Sequence, residues 1–280
     1  MAAIEHLAIV ALGPDDTGCA LKLSTEAHWN QNEADWRFFI NDGTVLGVRD
    51  DDSRLVATAA LLPYGSGNAW ISMVLVTADC RRRGLATRLV DACLEAAAKQ
   101  RLTAWLDATP AGAAVYGPLG FAPTLQLRRL HLENSTAAKI AAPRLSPNDD
   151  LAPFIARDHR GMGFGRGALL RELSGRAGSR LWSDGDAAAL VRDGRTARHI
   201  GPLFADGPDA ADRALALVDA IARSESAPLL IDVVAMRAEF LSGLASTGWR
   251  IERPFQRMRF GPATADTTEP PFAVAGPEYG

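Results

Sequence analysis

The chain has 280 residues, 48% of them hydrophobic and 22% charged, with a net charge of −3 and a pI near 6.0. That composition describes a globular, core-forming protein with room for two domains of about 130 residues each, and it excludes a disordered chain. The charge balance supplies no general attraction to nucleic acid or to an anionic membrane. The three cysteines, Cys19, Cys80 and Cys93, show no metal-ligand spacing and cannot all pair. No signal-peptide pattern or apolar run of ~20 residues is present, so a soluble protein of the reducing cytoplasm, binding neither metal nor membrane, is expected.

Residues 4–12 read as a strand, and Asp15-Asp16 precedes a helix running to about His28. Asn32 is placed to cap a second helix that carries Trp36, Phe39 and Ile40 on one side. Strands over 44–48 and 55–62 flank an acidic turn, and Pro63-Tyr64-Gly65-Ser66-Gly67-Asn68 turns the chain into the stretch around which the rest is organised. There, the apolar run Trp70–Val76 stops at Thr77-Ala78-Asp79. A basic, glycine-containing turn then leads into a helix whose apolar stripe is Leu85, Leu89, Val90, Cys93, Leu94 and Ala97. A helix opening leaves N–H groups unpartnered and carries partial positive charge, so this turn suits an anion such as a pyrophosphate. Arg81, Arg82 and Arg83 add full charge, while Gly84 and Ala86 keep bulk away. Residues 103–108 read as a buried parallel strand and Pro110 starts a short helix that ends at Pro118 and Gly120. Residues 124–132 form a closing strand.

Arg81-x-x-Gly84-x-Ala86 directly after a strand, and Tyr116-x-x-x-Gly120-Phe121 after the next one, resemble the two signatures of the GNAT superfamily of N-acetyltransferases. Thr109, Gly112 and Pro118 depart from the commonest pattern. The resemblance implies acetyl-CoA as co-substrate, with its pyrophosphate on Arg81, Arg82, Arg83, Gly84, Leu85, Ala86 and Thr87. It implies that the pantetheine arm pairs like an added strand with Val74, Leu75 and Val76, whose amides polarise the thioester carbonyl, and that Tyr116 protonates the departing thiolate. The closing strand of this family splays from its parallel neighbour to open the cleft. Trp29, Asn30 and Glu33 are then expected at the acceptor mouth, with Glu33, Asp35 or a water relay as base. A half-buried Tyr116 packed on Phe121 and a Trp29 that seals a helix corner are the structural alternatives.

Residues 150–262 repeat the same order of elements. The matching turn there is Asp206-Gly207-Pro208-Asp209, with carboxylates and a proline that supplies no N–H, and Ser246-Thr247-Gly248-Trp249 replaces the tyrosine ending. This pattern resembles the degenerate GNAT-like domain that follows a GNAT domain in a little-characterised bacterial group, and no coenzyme A is expected on it. Asp158, His159, Arg166, Asp232 and Arg253, with Met162 and Phe164, are its candidates for shaping an acceptor site. The expectation is an α/β (α+β) protein of two tandem GNAT-like domains, each a mixed, mostly antiparallel sheet flanked by helices. Their boundaries read as 1–133 and 150–262, with a linker at 134–149 and a mobile tail at 263–280 in which Phe272 and Tyr279 are the residues able to dock. The function implied is acetylation of a small-molecule primary amine by direct transfer, with a non-catalytic acyl-CoA sensor as the alternative; nothing points to a nucleic-acid partner.

Overall fold

The computed structural model of the chain describes residues 7–133, 146–147, 150–262 and 269–280. Two compact units emerge. Of the described residues, the first comprises 7–123 with 258–262 and Tyr279, and the second comprises 124–133, 146–147 and 150–257 with 269–278 and Gly280. Apart from Ser146 and Pro147, the connection expected at 134–149 lies largely outside the described residues.

Unit 1 runs β1 (Ile9–Ala11), α1 (Thr17–Glu26), α2 (Glu33–Asp42), β2 (Thr44–Arg49), β3 (Leu55–Tyr64), β4 (Asn68–Val76), α3 (Leu85–Lys99), β5 (Thr103–Ala108) and α4 (Pro110–Tyr116). Strands β1 to β4 pair antiparallel in sequence order, and β5 joins β4 in parallel. The α3 stripe Leu85, Leu89, Val90, Cys93 and Ala97 is buried against Val56, Ala57, Leu61, Ala69 and Ile71 of β3 and β4, as its 3.6-residue spacing requires. Strand β3 is a nearly continuous apolar run because it is covered on both faces, with α1 and α2 packed on it as well.

Unit 2 contains β6 (Ala122–Leu132, from Thr124), β7 (Ser146–Pro147), α5 (Leu151–Met162), α6 (Gly167–Gly175), β8 (Arg180–Asp184), β9 (Ala187–Arg192), β10 (Arg198–Ala205), α7 (Ala210–Ser224), β11 (Leu229–Val234), α8 (Ala238–Ser246) and β12 (Arg250–Phe260, to Arg257). Its sheet is again antiparallel except for one parallel pair, β10 with β11.

Two expectations are corrected here. Residues 124–132 do not close the first unit's sheet: β6 pairs antiparallel with β11, from Leu127↔Val234 to Leu132↔Leu229. The place beside β5 is taken by the end of β12, where Phe260 packs on Phe121 at 5.5 Å and Arg259 lies over Trp105 at 5.6 Å. Register with β11 is specified by Arg129 and Asp232, which face each other and bond bidentately at 2.9 and 2.8 Å. The second correction is the tail. Residues 263–268 lie outside the described residues, but Phe272, Ala273, Val274, Ala275 and Tyr279 are buried: in unit 2 the backbone of 272–274 bonds to Leu203, Asp232 and Val234, and in unit 1 Tyr279 stacks on Phe39. No helix among the described residues is long and apolar enough to cross a membrane.

Candidate active site

The site begins where β4 and β5 part. Their parallel pairing runs Asn68↔Thr103, Ala69↔Ala104 and Trp70↔Trp105 and then stops, although β4 continues to Val76 and β5 to Ala108. The opening therefore lies between these two strands, not beside β6, which belongs to the other unit's sheet. On its other edge, β4 carries a bulge: Thr58 pairs with Leu75 but Ala60 with Ser72, leaving Met73 and Val74 opposite one residue. Met73 sits at φ +51 and its carbonyl accepts from the Thr58 hydroxyl at 2.9 Å. Such a turn of the backbone re-aims the following peptide, so that Val74, Leu75 and Val76 present their edge to the gap. Val74 and Val76 are half-buried there, and Leu75 anchors in the core. The bulge carries no sequence signature that would have shown it in advance.

Beyond β4 a single turn at Ala78–Cys80 leads to the basic loop. Arg81 Nε donates to the Val76 carbonyl at 3.0 Å, Arg82 takes a left-handed conformation (φ +60), and Gly84 is the N-cap of α3 at φ +76. Glycine is suited to that position because an L side chain there is strained. No side chain caps α3, and a Cβ placed on Gly84 meets nothing within 4 Å. The N–H groups of Leu85, Ala86 and Thr87 are therefore left without a side-chain cap at the positive end of a 15-residue helix. Arg81 and Arg82 are exposed beside it and Arg83 is half-buried. This arrangement fits a pyrophosphate.

Thr109 caps α4 by accepting from the Gly112 N–H at 3.2 Å, and the helix ends on Tyr116. Tyr116 is buried, 9% exposed, in the α3 core cluster that includes Cys93, with the Phe121 ring 6.0 Å away. Burial, with the Cys93 thiol nearby, pushes its phenol up to about 12, and burial alone pushes Cys93 to about 12. No described residue hydrogen-bonds the Tyr116 hydroxyl.

The α1–α2 corner holds the expected acceptor residues. Trp29 is half-buried and Asn30 buried. Asn32 and Asp35 form a reciprocal capping box at 3.1 and 2.8 Å, and the second Asp35 oxygen accepts from the Tyr279 hydroxyl at 2.7 Å. Glu33 is exposed and pairs with Arg37 one turn on at 2.5 Å, which is the arrangement of a solvated helix face. A different carboxylate, missed in the sequence because it is simply the last residue of α1, reaches the end of β4. Glu26 accepts from the Thr77 hydroxyl at 2.8 Å and from the Ala78 N–H at 2.8 Å. At this site, among the described residues, two buried polar atoms have no hydrogen-bond partner, Ser72 Oγ just before the bulge and Gln31 Oε1 in the corner. Each is available to a ligand.

In unit 2 most of the charged candidates are engaged internally. Asp158 and Arg166 form a buried bidentate pair at 2.7 and 2.9 Å, and Asp232 binds Arg129 and, at 2.9 Å, His199 Nε2. Arg253 pairs with Glu252 at 2.7 Å, while Phe164 and Met162 are buried. Among the described residues no three His, Cys, Asp or Glu side chains are grouped to hold a metal ion.

Comparison with known proteins addresses the family and the fold. The sequence model of the Acetyltransferase (GNAT) family matches residues 15–121, and that of a further Acetyltransferase (GNAT) domain matches residues 155–273. The uncharacterized N-acetyltransferase YitH of Bacillus subtilis (strain 168) is 21% identical over 250 residues, covering 86% of this chain and 87% of its own. A Pyrococcus horikoshii chain, solved as an acetyltransferase candidate, superposes with a TM-score of 0.81 at 19% identity over 99% of this chain and 97% of its own. A tandem GNAT protein from the clavulanic acid biosynthesis pathway gives 0.66 at 19% identity over 92% and 100%. The chain belongs to the GNAT acetyltransferases and is a tandem of two GNAT domains.

Proposed function

We propose that the protein is an acetyl-CoA-dependent N-acetyltransferase that acetylates a primary amine of a small molecule by direct transfer. The observation that carries this reading is the alignment in unit 1 of a bulged, unpaired strand edge at Val74–Val76 with the uncapped N-terminus of α3. Acetyl-CoA supplies the acetyl group as a thioester. The α3 amides with Arg81, Arg82 and Arg83 hold its phosphates. The edge of β4 holds its extended arm and donates to the carbonyl oxygen as negative charge grows there.

An amine must lose a proton before or as its nitrogen bonds the acetyl carbon and the carbon–sulfur bond breaks. Glu26 and Glu33 are the carboxylates offered for that proton, and Glu26 is favoured because it is tied to the end of β4 through Thr77 and Ala78. Gln31 Oε1 accepts hydrogen bonds and lacks a partner, which suits an amine N–H, with Trp29 and Asn30 as neighbours in sequence. Tyr116 is the residue the resemblance assigns to the departing sulfur, and it stands buried beside Cys93 and Phe121. A phenol at about 12 gives its proton to a thiolate whose conjugate acid lies near ~8.5 only at a cost of about 5 kcal/mol. Its role is therefore to donate a hydrogen bond that stabilises the leaving sulfur, with full protonation coming from the released amine proton.

The test is release of free coenzyme A thiol from acetyl-CoA across a panel of small amines and amino-terminal peptides, for the native chain and Tyr116→Phe. Amine-dependent release that falls in the variant with acetyl-CoA binding retained is expected. Binding of one acetyl-CoA without release for any acceptor would favour a sensor, and no binding would sink both.

A further inference from the structure

We propose that the acyl-CoA groove of unit 2 is filled by the chain's own C-terminal segment, Phe272–Val274, standing where the pantetheine arm pairs with β4 in unit 1; this rests on the reading of β4 above. The two parallel pairs are built alike. β4 and β5 part after Trp70↔Trp105, and β10 and β11 part after Ile200↔Ile231. Each parting strand carries one extra residue on its antiparallel edge, beginning three residues past the last parallel pair on β4 and one residue past it on β10. On β4 the register shifts across Met73-Val74, between Ser72 and Leu75; on β10 it shifts across Gly201-Pro202, between Ile200 and Leu203. Aligned on these bulges, Leu203 corresponds to Leu75 and Pro202 to Val74.

In unit 2 the gap is occupied by polypeptide. Ala273 bridges both walls, antiparallel to Leu203 of β10 and to Val233 of β11. The Phe272 N–H donates to the Leu203 carbonyl at 2.8 Å and the Leu203 N–H to the Ala273 carbonyl at 2.9 Å. On the other wall the Val234 N–H donates to the Phe272 carbonyl at 3.0 Å and the Val274 N–H to the Asp232 carbonyl at 3.0 Å. The backbone groups that a pantetheine amide would use are therefore satisfied from within the chain. Phe272 enters the core edge-on to Phe240 at 5.3 Å, with the Arg237 guanidinium over its other side at 4.3 Å. Ala273 and Val274 are fully buried.

Three sequence features of the groove suit this occupant and not an acyl-CoA. Gly201 sits at φ +153, and a Cβ there would stand 2.0 Å from the Val274 carbonyl oxygen, so the close approach of the segment needs glycine. Pro202 has no N–H to polarise a thioester carbonyl where Val74 has one. At the mouth, Asp206 and Asp209 replace the arginines of unit 1, and Asp206 is paired with Arg157 at 2.6 Å. The space that remains is a cavity of about 310 Å³ walled in part by the segment itself, from Glu269 to Phe272. Pro270 and Pro271 pre-set the extended backbone that leads in. The consequence is a chain with one acyl-CoA site, its second site closed by an internal strand.

The experiment uses the full chain. Amide hydrogen exchange is followed at Leu203, Val234 and Val274 in the native protein and in Gly201→Ala, with Leu230 and Ile231 as internal references, alongside calorimetric titration with acetyl-CoA. The expected result is protection of all three amides, on the order of a hundredfold or more over an open strand edge, and its loss in the variant while the references stay slow. If Gly201→Ala yields no folded protein, Val274→Pro, which deletes the donor to Asp232, is read the same way. Fast exchange of the three amides in the native chain, unchanged protection in the variant, or two equivalent acetyl-CoA sites per native chain would overturn the proposal. Zero acetyl-CoA sites would overturn the function proposed for unit 1 and leave the exchange result to decide this one.

Discussion

Arg129 and Asp232, 103 residues apart in sequence, stand directly opposite each other on β6 and β11, 5% and 0% exposed, with two parallel hydrogen bonds between them. A charge pair this deep holds only if both members are present, because removing one leaves the other buried without compensation. Asp232→Asn is therefore expected to cost about 3–5 kcal/mol in urea unfolding, whereas an apolar replacement of both residues is expected to cost much less. An Asp232→Asn chain as stable as the native one would show that the pair does not pin β6.

The same cluster sets the acid side of the stability curve. His199 is buried and its imidazole is held below the usual range, first by burial and then by Arg192, so the unfolded chain takes up a proton that the folded one refuses as pH falls below ~6.5. Asp232 is held below the usual carboxylate range; burial opposes this, but Arg129 and His199 outweigh it. It contributes stability that is lost only in stronger acid. On the alkaline side Cys93 and Tyr116 bind protons in the folded state up to about 12 while the unfolded groups release theirs from ~8.5 and ~10. Stability should thus fall with rising pH from about 9, by up to about 1.4 kcal/mol per pH unit for each group. Thermal unfolding between pH 5 and 11 checks both limbs, and Cys93→Ala should flatten the alkaline one.

The Thr58 hydroxyl is what secures the Met73 carbonyl at the bulge. Thr58→Val keeps the shape but leaves that carbonyl buried without its donor, at an expected cost of about 1–3 kcal/mol. Because Val74 is part of the bulge, kcat should fall more than KM changes. A variant with native kcat would detach the bulge from catalysis.

Gly84 separates backbone strain from ligand space. Gly84→Ala should lose about 1 kcal/mol of stability through its left-handed φ, since its Cβ meets no protein atom. Gly84→Val projects further into the space in front of the α3 amides and should weaken acetyl-CoA binding at least tenfold, on the order of 1.4 kcal/mol. Equal binding by both variants would place the ligand elsewhere.

Glu26→Gln and Glu33→Gln divide the two base assignments. The amide retains an oxygen for Thr77 and Ala78, so Glu26→Gln is expected to fold normally yet lose on the order of a hundredfold in kcat, with the acidic limb of its pH–rate profile removed. Glu33→Gln is expected to change kcat by less than about twofold, the modest effect of breaking an exposed pair with Arg37. The reverse pattern would return the role to Glu33.

The amino-acid sequence by itself determined the local units of this protein. Period 3.6 at Leu85–Ala97 and the apolar run at Leu229–Val234, broken only by Asp232, specify α3 and β11, because side-chain spacing and backbone geometry are coupled within a few residues. The basic turn before α3, the Asn32 cap and the Tyr116-to-Phe121 ending were legible for the same reason, as was the repeat of the whole order in the second half. Only the tertiary structure decided which strands pair. β6 and β12 show nearly the same alternation of exposed and buried positions, so no local pattern says which sheet each completes; Arg129 meeting Asp232 does, across more than a hundred residues. The bulge at Met73, the reach of Glu26 to the end of β4 and the burial of Phe272–Val274 were hidden likewise, since each depends on a hydrogen-bond partner distant in the chain. Periodicity records what one element must bury, and it carries no record of the partner that does the burying.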